Sequence, residues 1–204
     1  VSVATGGSID VSAYDRAFGV DARSNYGTVE VANYADVSVS SSNYNAAGVR
    51  ALSEYYDATV FNYGDIDVQA AGLAQGIVAL SDYGNAGVRN EGDVTASSSG
   101  GYSQAVALRS GSGFNAVLRN LGTITAGAGN ALAVSITGGN GVISNYGDIS
   151  GGMLTDAGDD YVRNYEGGRI FLSDDTIDLG GGYNYFLNEG RLYADGVNNV
   201  IDMG

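Results

Sequence analysis

One short pattern constrains this chain more than any other feature. It reads Asn, any residue, usually Gly, a polar residue, then Ile or Val. Asn62-Tyr63-Gly64-Asp65-Ile66 returns almost unchanged as Asn145-Tyr146-Gly147-Asp148-Ile149. Asn33, Asn62, Asn90, Asn120, Asn145, Asn164 and Asn188 open successive copies, at spacings of 29, 28, 30, 25, 19 and 24 residues. A catalytic motif is normally written once. A motif repeated at this period marks an array whose copies bury their apolar faces by stacking on one another.

The copies agree internally. Two residues before each Asn stand Val31, Val60, Val88, Leu118, Ile143, Val162 and Phe186. Four residues after most of them stand Val37, Ile66, Val94, Ile124, Ile149 and Leu192, with Ile170 displaced by an inserted pair. The next inward step gives Val39, Val68, Ala96, Ala126 and Leu172. A third segment predicts an inward column of Val20, Val49, Ile77, Ala105 and Leu132, followed by Ala22, Ala51, Ala79, Ala107 and Val134. Apolar residues alternate with small or polar ones, which is the period of a strand, and Val and Ile fill the apolar places. No segment carries a helical stripe. Gly, Ser, Asn and Asp supply the turns.

Three short strands per copy, each aligned with its counterpart in the next copy, predict a right-handed parallel β-helix. About seven coils, rising by the strand spacing of about 4.8 Å, give a rod roughly 35 Å long. A β-sandwich is the alternative, although it would bring turn signals every 8–12 residues without matched columns. The whole of 1–204 reads as a single repeat domain. Residues 1–146 form regular coils of about 28 residues, and 147–204 form shorter, more acidic ones. The chain opens in a strand pattern without Met or signal peptide and stops in mid-coil, so it reads as a fragment of something longer.

Composition narrows the chemistry. There are 23 Asp and Glu against nine Arg and no Lys, for a net charge of −14. Phosphate binding needs a basic stripe, so nucleic acid is not an expected partner. No run approaches the ~20 apolar residues of a membrane span, so direct insertion of this segment is not expected either. The absence of Cys and His removes the usual zinc and copper ligands and the Ser-His-Asp and Cys-His catalytic arrangements. No cofactor is expected.

Tandem Asn-x-Gly-x-Ile/Val units that are Gly- and Ser-rich, Cys-free and acidic resemble the passenger regions of bacterial autotransporters and filamentous haemagglutinin-like adhesins. The resemblance rests on Asn62–Ile66, Asn90-Glu91-Gly92-Asp93-Val94, Asn120-Leu121-Gly122-Thr123-Ile124 and Asn145–Ile149. The tail "DTIDLGGGYNYFLNEGRL" is also similar to passenger repeats. The resemblance implies export and an extracellular or cell-surface location, anchored at the outer membrane or released. It also implies a structural or adhesive task. The expected partner is a host or environmental glycan, a surface protein, or another copy of the chain.

Four groups of residues are candidates for sites. The seven Asn suit a structural ladder, because a side-chain amide both donates and accepts and Asn tolerates a left-handed backbone. The Gly two residues later is expected to relax the bend. Tyr34, Tyr63, Tyr146 and Tyr165 follow four of the Asn and should face outward, to stack between coils or to offer a platform for sugar rings. Tyr26, Tyr55, Tyr56 and Tyr83 form a second group at another corner. Arg89, Arg119 and Arg163 precede three of the Asn and are expected to pair with Asp36, Asp65, Asp93 and Asp148.

Asp156, Asp159, Asp160, Asp174, Asp175 and Asp178 crowd the last coils. A solvated acidic surface is the main reading. Ca²⁺ held by Asp159, Asp160, Asp174 and Asp175, as in a surface-layer or stalk module, is the alternative, although the Gly-Gly-x-Gly-x-Asp calcium repeat is not met. A polysaccharide-degrading enzyme using a pair such as Asp159 and Asp174 is the rival class, but there is no Lys, no His and no long loop to build a cleft. The expectation is that the chain is not an enzyme.

Overall fold

A computed structural model of the chain describes residues 1–127 and 131–204. The alternation of apolar and polar residues is realised as 24 short strands and, among the described residues, no helix. The chain visits three sheets in turn and returns to the first, so each sheet collects every third strand and holds eight. Every described pairing is parallel, between equivalent strands of consecutive coils. A sandwich of antiparallel strands is therefore excluded, and the fold is a β-solenoid with about three strands per coil.

The first sheet contains the strands that end in each Asn, such as Ala58–Asn62 and Ala86–Asn90. The second contains the strands that follow, such as Ile66–Ala70. The third contains the long strands, such as Ala74–Ser81. Asn62 pairs with Asn33 on one side and Asn90 on the other, and Val60 sits between Val31 and Val88 in the same way. The like-on-like columns Val31, Val60, Val88, Leu118, Ile143 and Ile66, Val94, Ile124, Ile149 are buried throughout. Burying each such side chain is worth about 1.5–3 kcal/mol before conformational entropy is counted. One continuous core therefore runs the length of the rod.

The third sheet departs from the expected columns. Ile77 pairs with Val106 and then Val134, and Ala79 pairs with Leu108 and then Ile136. The repeat pattern predicts Ala105 and Leu132, then Ala107 and Val134, at those positions. Each long strand carries the same break in its alternation. Gly19, Gly48, Gly76, Ala105 and Ala133 fall where the pairing skips a residue. Inward residues are then separated by three rather than two, as at Ala46 and Val49. The break moves the inward positions along by one residue, and no Asn marks its place in the sequence.

The last coils are drawn in. The third-sheet strand falls from eight residues in Ala74–Ser81 to three in Gly152–Leu154 and Thr176–Asp178. Gly151 alone separates Asp148–Ser150 from Gly152–Leu154, with a φ of 120° that a side chain would resist. At the opposite end the solenoid holds one coil that the Asn repeat does not count. There Thr5 stands where Asn stands later, paired with Asn33.

Candidate functional site

Asn33, Asn62, Asn90, Asn120, Asn145 and Asn164 are fully buried, and Asn188 at the far end is exposed. Each Nδ2 donates to the Oδ1 of the next Asn, at 2.7, 2.8, 3.0, 2.9, 2.8 and 2.7 Å in order. Each Nδ2 also donates to its own turn, for example Asn62 to the Gly64 carbonyl at 2.7 Å and Asn90 to the Gly92 carbonyl at 2.7 Å. Thr5 starts the ladder by donating its hydroxyl to Asn33 Oδ1 at 2.6 Å. These amides satisfy one another in a place that water does not reach, which is the condition for burying them.

The Gly two residues after the Asn serves a different purpose from the one expected. Gly64, Gly92, Gly122 and Gly147 do not have positive φ. Instead, a Cβ at Gly92 would lie 2.2 Å from the Gly64 carbonyl oxygen, and one at Gly147 would lie 2.0 Å from that of Gly122. At these four coils the stacking is too close for a side chain, whereas the first copy holds a buried Ala35 at the same place.

Outward from the ladder, the tyrosines form stacks of parallel rings. Tyr34 and Tyr63 lie 4.7 Å apart and Tyr146 and Tyr165 lie 4.1 Å apart, centre to centre. Glu91 and Leu121 occupy the intervening coils, so the row of four is two separate pairs. The inner ring faces of each pair are turned onto each other. A sugar approaching from solvent meets ring edges and hydroxyls, and in the second pair Arg119 and Arg163 also lie over the Tyr146 and Tyr165 rings. At the second corner Tyr26, Tyr55 and Tyr83 stack at 5.1 and 5.3 Å, and Tyr56 stands outside that stack. Tyr161 with Tyr185 and Phe171 with Tyr193 are further stacks that sequence reasoning did not single out, although their residue type and register are visible in the repeat.

The arginines do not reach the Asp column. Arg89 pairs with Glu91, and Arg163 pairs with Glu189 at 2.8 Å and lies over the Tyr165 ring at 4.1 Å. Arg119 lies 5.3 Å from the centre of the Tyr146 ring and has no carboxylate in ion-pair range among the described residues. The turn at each Asn separates the two sets: the Arg precede it on the first sheet, and the Asp follow it on the second. The Asp column instead accepts backbone N–H groups from the next coil. Asp36 receives Asp65 N–H at 3.1 Å, and Asp65 receives Asp93 N–H at 2.9 Å. Asp148 does find a guanidinium, that of Arg169 in the following coil.

The carboxylates of the last coils serve separate turns. Asp156 takes Gly138 N–H, Asp159 takes Tyr183 N–H, and Asp178 takes Gly180 N–H. Asp174, itself at a φ of 56°, takes Val197 and Asn198 N–H. Asp175 takes Ser173 N–H. Asp159 and Asp160 precede a first-sheet strand, whereas Asp174 and Asp175 lie between a second-sheet and a third-sheet strand. The four residues named for Ca²⁺ thus stand at two different corners, as do Asp159 and Asp174 of the enzyme reading. Among the described residues no three metal-binding side chains gather at one point.

Asp160 is the exception in its burial, being 2% exposed. Its Oδ1 accepts Gly141 N–H at 2.5 Å, while its Oδ2 is buried without a hydrogen-bond partner. Burial pushes its carboxyl above the usual range, and the nearby charges of Asp156 and Asp159 add to this. The Thr155 hydroxyl and Gly141 N–H oppose it.

The three outer faces differ in chemistry. The second sheet shows Ser, Thr and Asp, with Asp10, Asp36, Asp67 and Asp93 along one shallow groove. The third sheet is smoother: Ala47 and Val78 point outward but are almost covered, and Arg50 lies over Phe18 at 4.7 Å. The first sheet carries Phe61, Arg89, Val117, Arg119, Val142 and Arg163 in adjacent columns, beside the Tyr34, Tyr63, Tyr146 and Tyr165 row. Tyr, Phe and Arg are the residues enriched at protein contact surfaces. No protein-family model, no curated protein and no solved structure matches this chain.

Proposed function

We propose that this chain is a rigid β-solenoid segment of a secreted or surface-displayed bacterial protein, and that it mediates or presents adhesion through the outer face of its first sheet. The observation that carries the reading is the concentration of Arg119, Val117, Phe61 and the Tyr row on one flat face of an otherwise acidic rod. Exposed aromatic rings and a guanidinium without a carboxylate partner offer what a partner can bury and pair with. The buried Asn ladder holds that face rigid, so little ordering cost falls on binding. The partner is a glycan or a surface protein of another cell, and the location is extracellular, on the bacterial surface or released from it. The resemblance of the repeats to autotransporter passengers supports the same assignment.

The test is binding of the immobilised chain to a panel of glycans and matrix proteins. A ligand retained by the parent and by Asp67→Asn, but lost in Arg119→Glu and in Tyr63→Ser, is the expected result. Equal loss in Asp67→Asn would move the site to the second sheet. No binding by any member of the panel would make the chain a passive stalk.

A further inference from the structure

We propose that the stacked pair Tyr146 and Tyr165 is a site of oxidative phenol coupling, at which a peroxide-driven one-electron oxidant joins two consecutive coils through a dityrosine bond. This proposal is independent of the adhesive reading. It rests on how the solenoid places the two rings. Asn145 and Asn164 are partners in the ladder, so the residues after them leave the rod at the same corner, one coil apart. The rings lie 4.1 Å apart, the closest of the Tyr stacks, and are inclined by only 13°. Tyr146 is exposed and Tyr165 partly so, which leaves ring edges and hydroxyls open to an oxidant.

The surroundings favour reaction here over the other stacks. Interaction between the two hydroxyls draws the Tyr165 phenol below its usual value and raises that of Tyr146. The Arg163 guanidinium over the Tyr165 ring acts in the same direction on Tyr165. A phenol held closer to phenolate gives up an electron more readily. The chain offers no competing thiol or indole, since it has no Cys and no Trp; of its two Met, Met153 is buried and Met203 is exposed near the last residue.

The chemistry balances with hydrogen peroxide as the terminal oxidant. Each phenol gives up one electron and its hydroxyl proton, leaving a phenoxyl radical with spin density on the ring carbons beside the oxygen. A carbon–carbon bond forms between one such Cε of each ring. The hydrogen on each bonded carbon then returns as a proton to its own oxygen, restoring both phenols. The peroxide takes up the two electrons and two protons and leaves as two waters. The product is a covalent staple between coils in a chain that can form no disulfide.

The experiment treats the folded chain with a haem peroxidase and hydrogen peroxide, then digests it with trypsin. Cleavage after Arg119, Arg163 and Arg169 places Tyr165 in the short peptide 164–169 and Tyr146 in 120–163. The expected product is these two peptides joined, lighter by two hydrogens and showing the blue emission of a biaryl diphenol. Its yield should exceed any cross-link to the unstacked Tyr14, Tyr44 or Tyr183 by about tenfold, as held proximity dictates. Tyr146→Phe and Tyr165→Phe keep a ring in place and should each abolish it. Overturning results are a cross-link of 164–169 that survives Tyr146→Phe, products that are only intermolecular, or equal yields from chain unfolded in urea.

Discussion

Replacing Asn62 by Leu tests the ladder where it is most enclosed. The substitution keeps the approximate size of the side chain and adds apolar surface to an apolar core, so simple burial would make it harmless. The hydrogen bonds say otherwise. Asn33 Nδ2 loses its acceptor at 2.7 Å and Asn90 Oδ1 loses its donor at 2.8 Å. The Gly64 carbonyl loses its side-chain partner. Each buried polar group left without a partner costs about 1–3 kcal/mol. Two amide groups so orphaned give about 4 kcal/mol, and for a chain of this length that lowers Tm by about 8–16 °C. Tyr63→Ser, on the outer surface, removes one ring stack worth about 1 kcal/mol, or about 2–4 °C. Asn188→Leu breaks only the bond from Asn164 at the exposed end of the ladder and should fall near the Tyr63 value. Thermal unfolding followed by far-ultraviolet circular dichroism ranks the three. If Asn62→Leu is no worse than Tyr63→Ser, the ladder does not hold the rod together.

Three other outcomes are expected. Asp160 has its folded pKa raised, so its favourable contribution is complete below the ordinary carboxylate value near 4 and is lost as pH rises through the folded value. Asp160→Asn should therefore raise Tm at pH about 7 and have little effect at pH about 4; an equal gain at both would show that charge is not the cause. Gly92→Ala should cost about 3 kcal/mol or more, because its Cβ meets backbone at 2.2 Å, whereas Gly181→Ala, which meets nothing, should change stability by under about 1 kcal/mol; urea unfolding compares them. Adding or chelating Ca²⁺ should move Tm by less than about 1 °C, since the Asp carboxylates serve separate turns, and a larger rise would establish a calcium site.

The legible parts of the fold were those with a chemical marker. Each Asn recurs where side-chain amides bond along the rod, so register, strand order and the inward columns of the first two sheets could be read directly from spacing. The third sheet has no such marker. At Gly76 and Ala105 its alternation moves by one residue, and inward and outward positions look alike in a run of small apolar residues. The arginine partners were also hidden, because Arg89 and Asp93 lie four residues apart in sequence but on opposite sides of a sheet corner.

The sequence by itself determined the solenoid, because a repeated alternating pattern can bury its apolar face only against its own copies. It determined as well which Asn and which Tyr form rows. Only the tertiary structure decided what those rows present. The coil spacing brings successive Tyr rings to within 4.1–5.3 Å, so they cover each other and leave edges to solvent. The same spacing closes the corner at Gly92 and Gly147 and leaves one Asp160 oxygen without a partner. Such distances arise from stacking between residues about 20–30 positions apart, and a local pattern does not contain them.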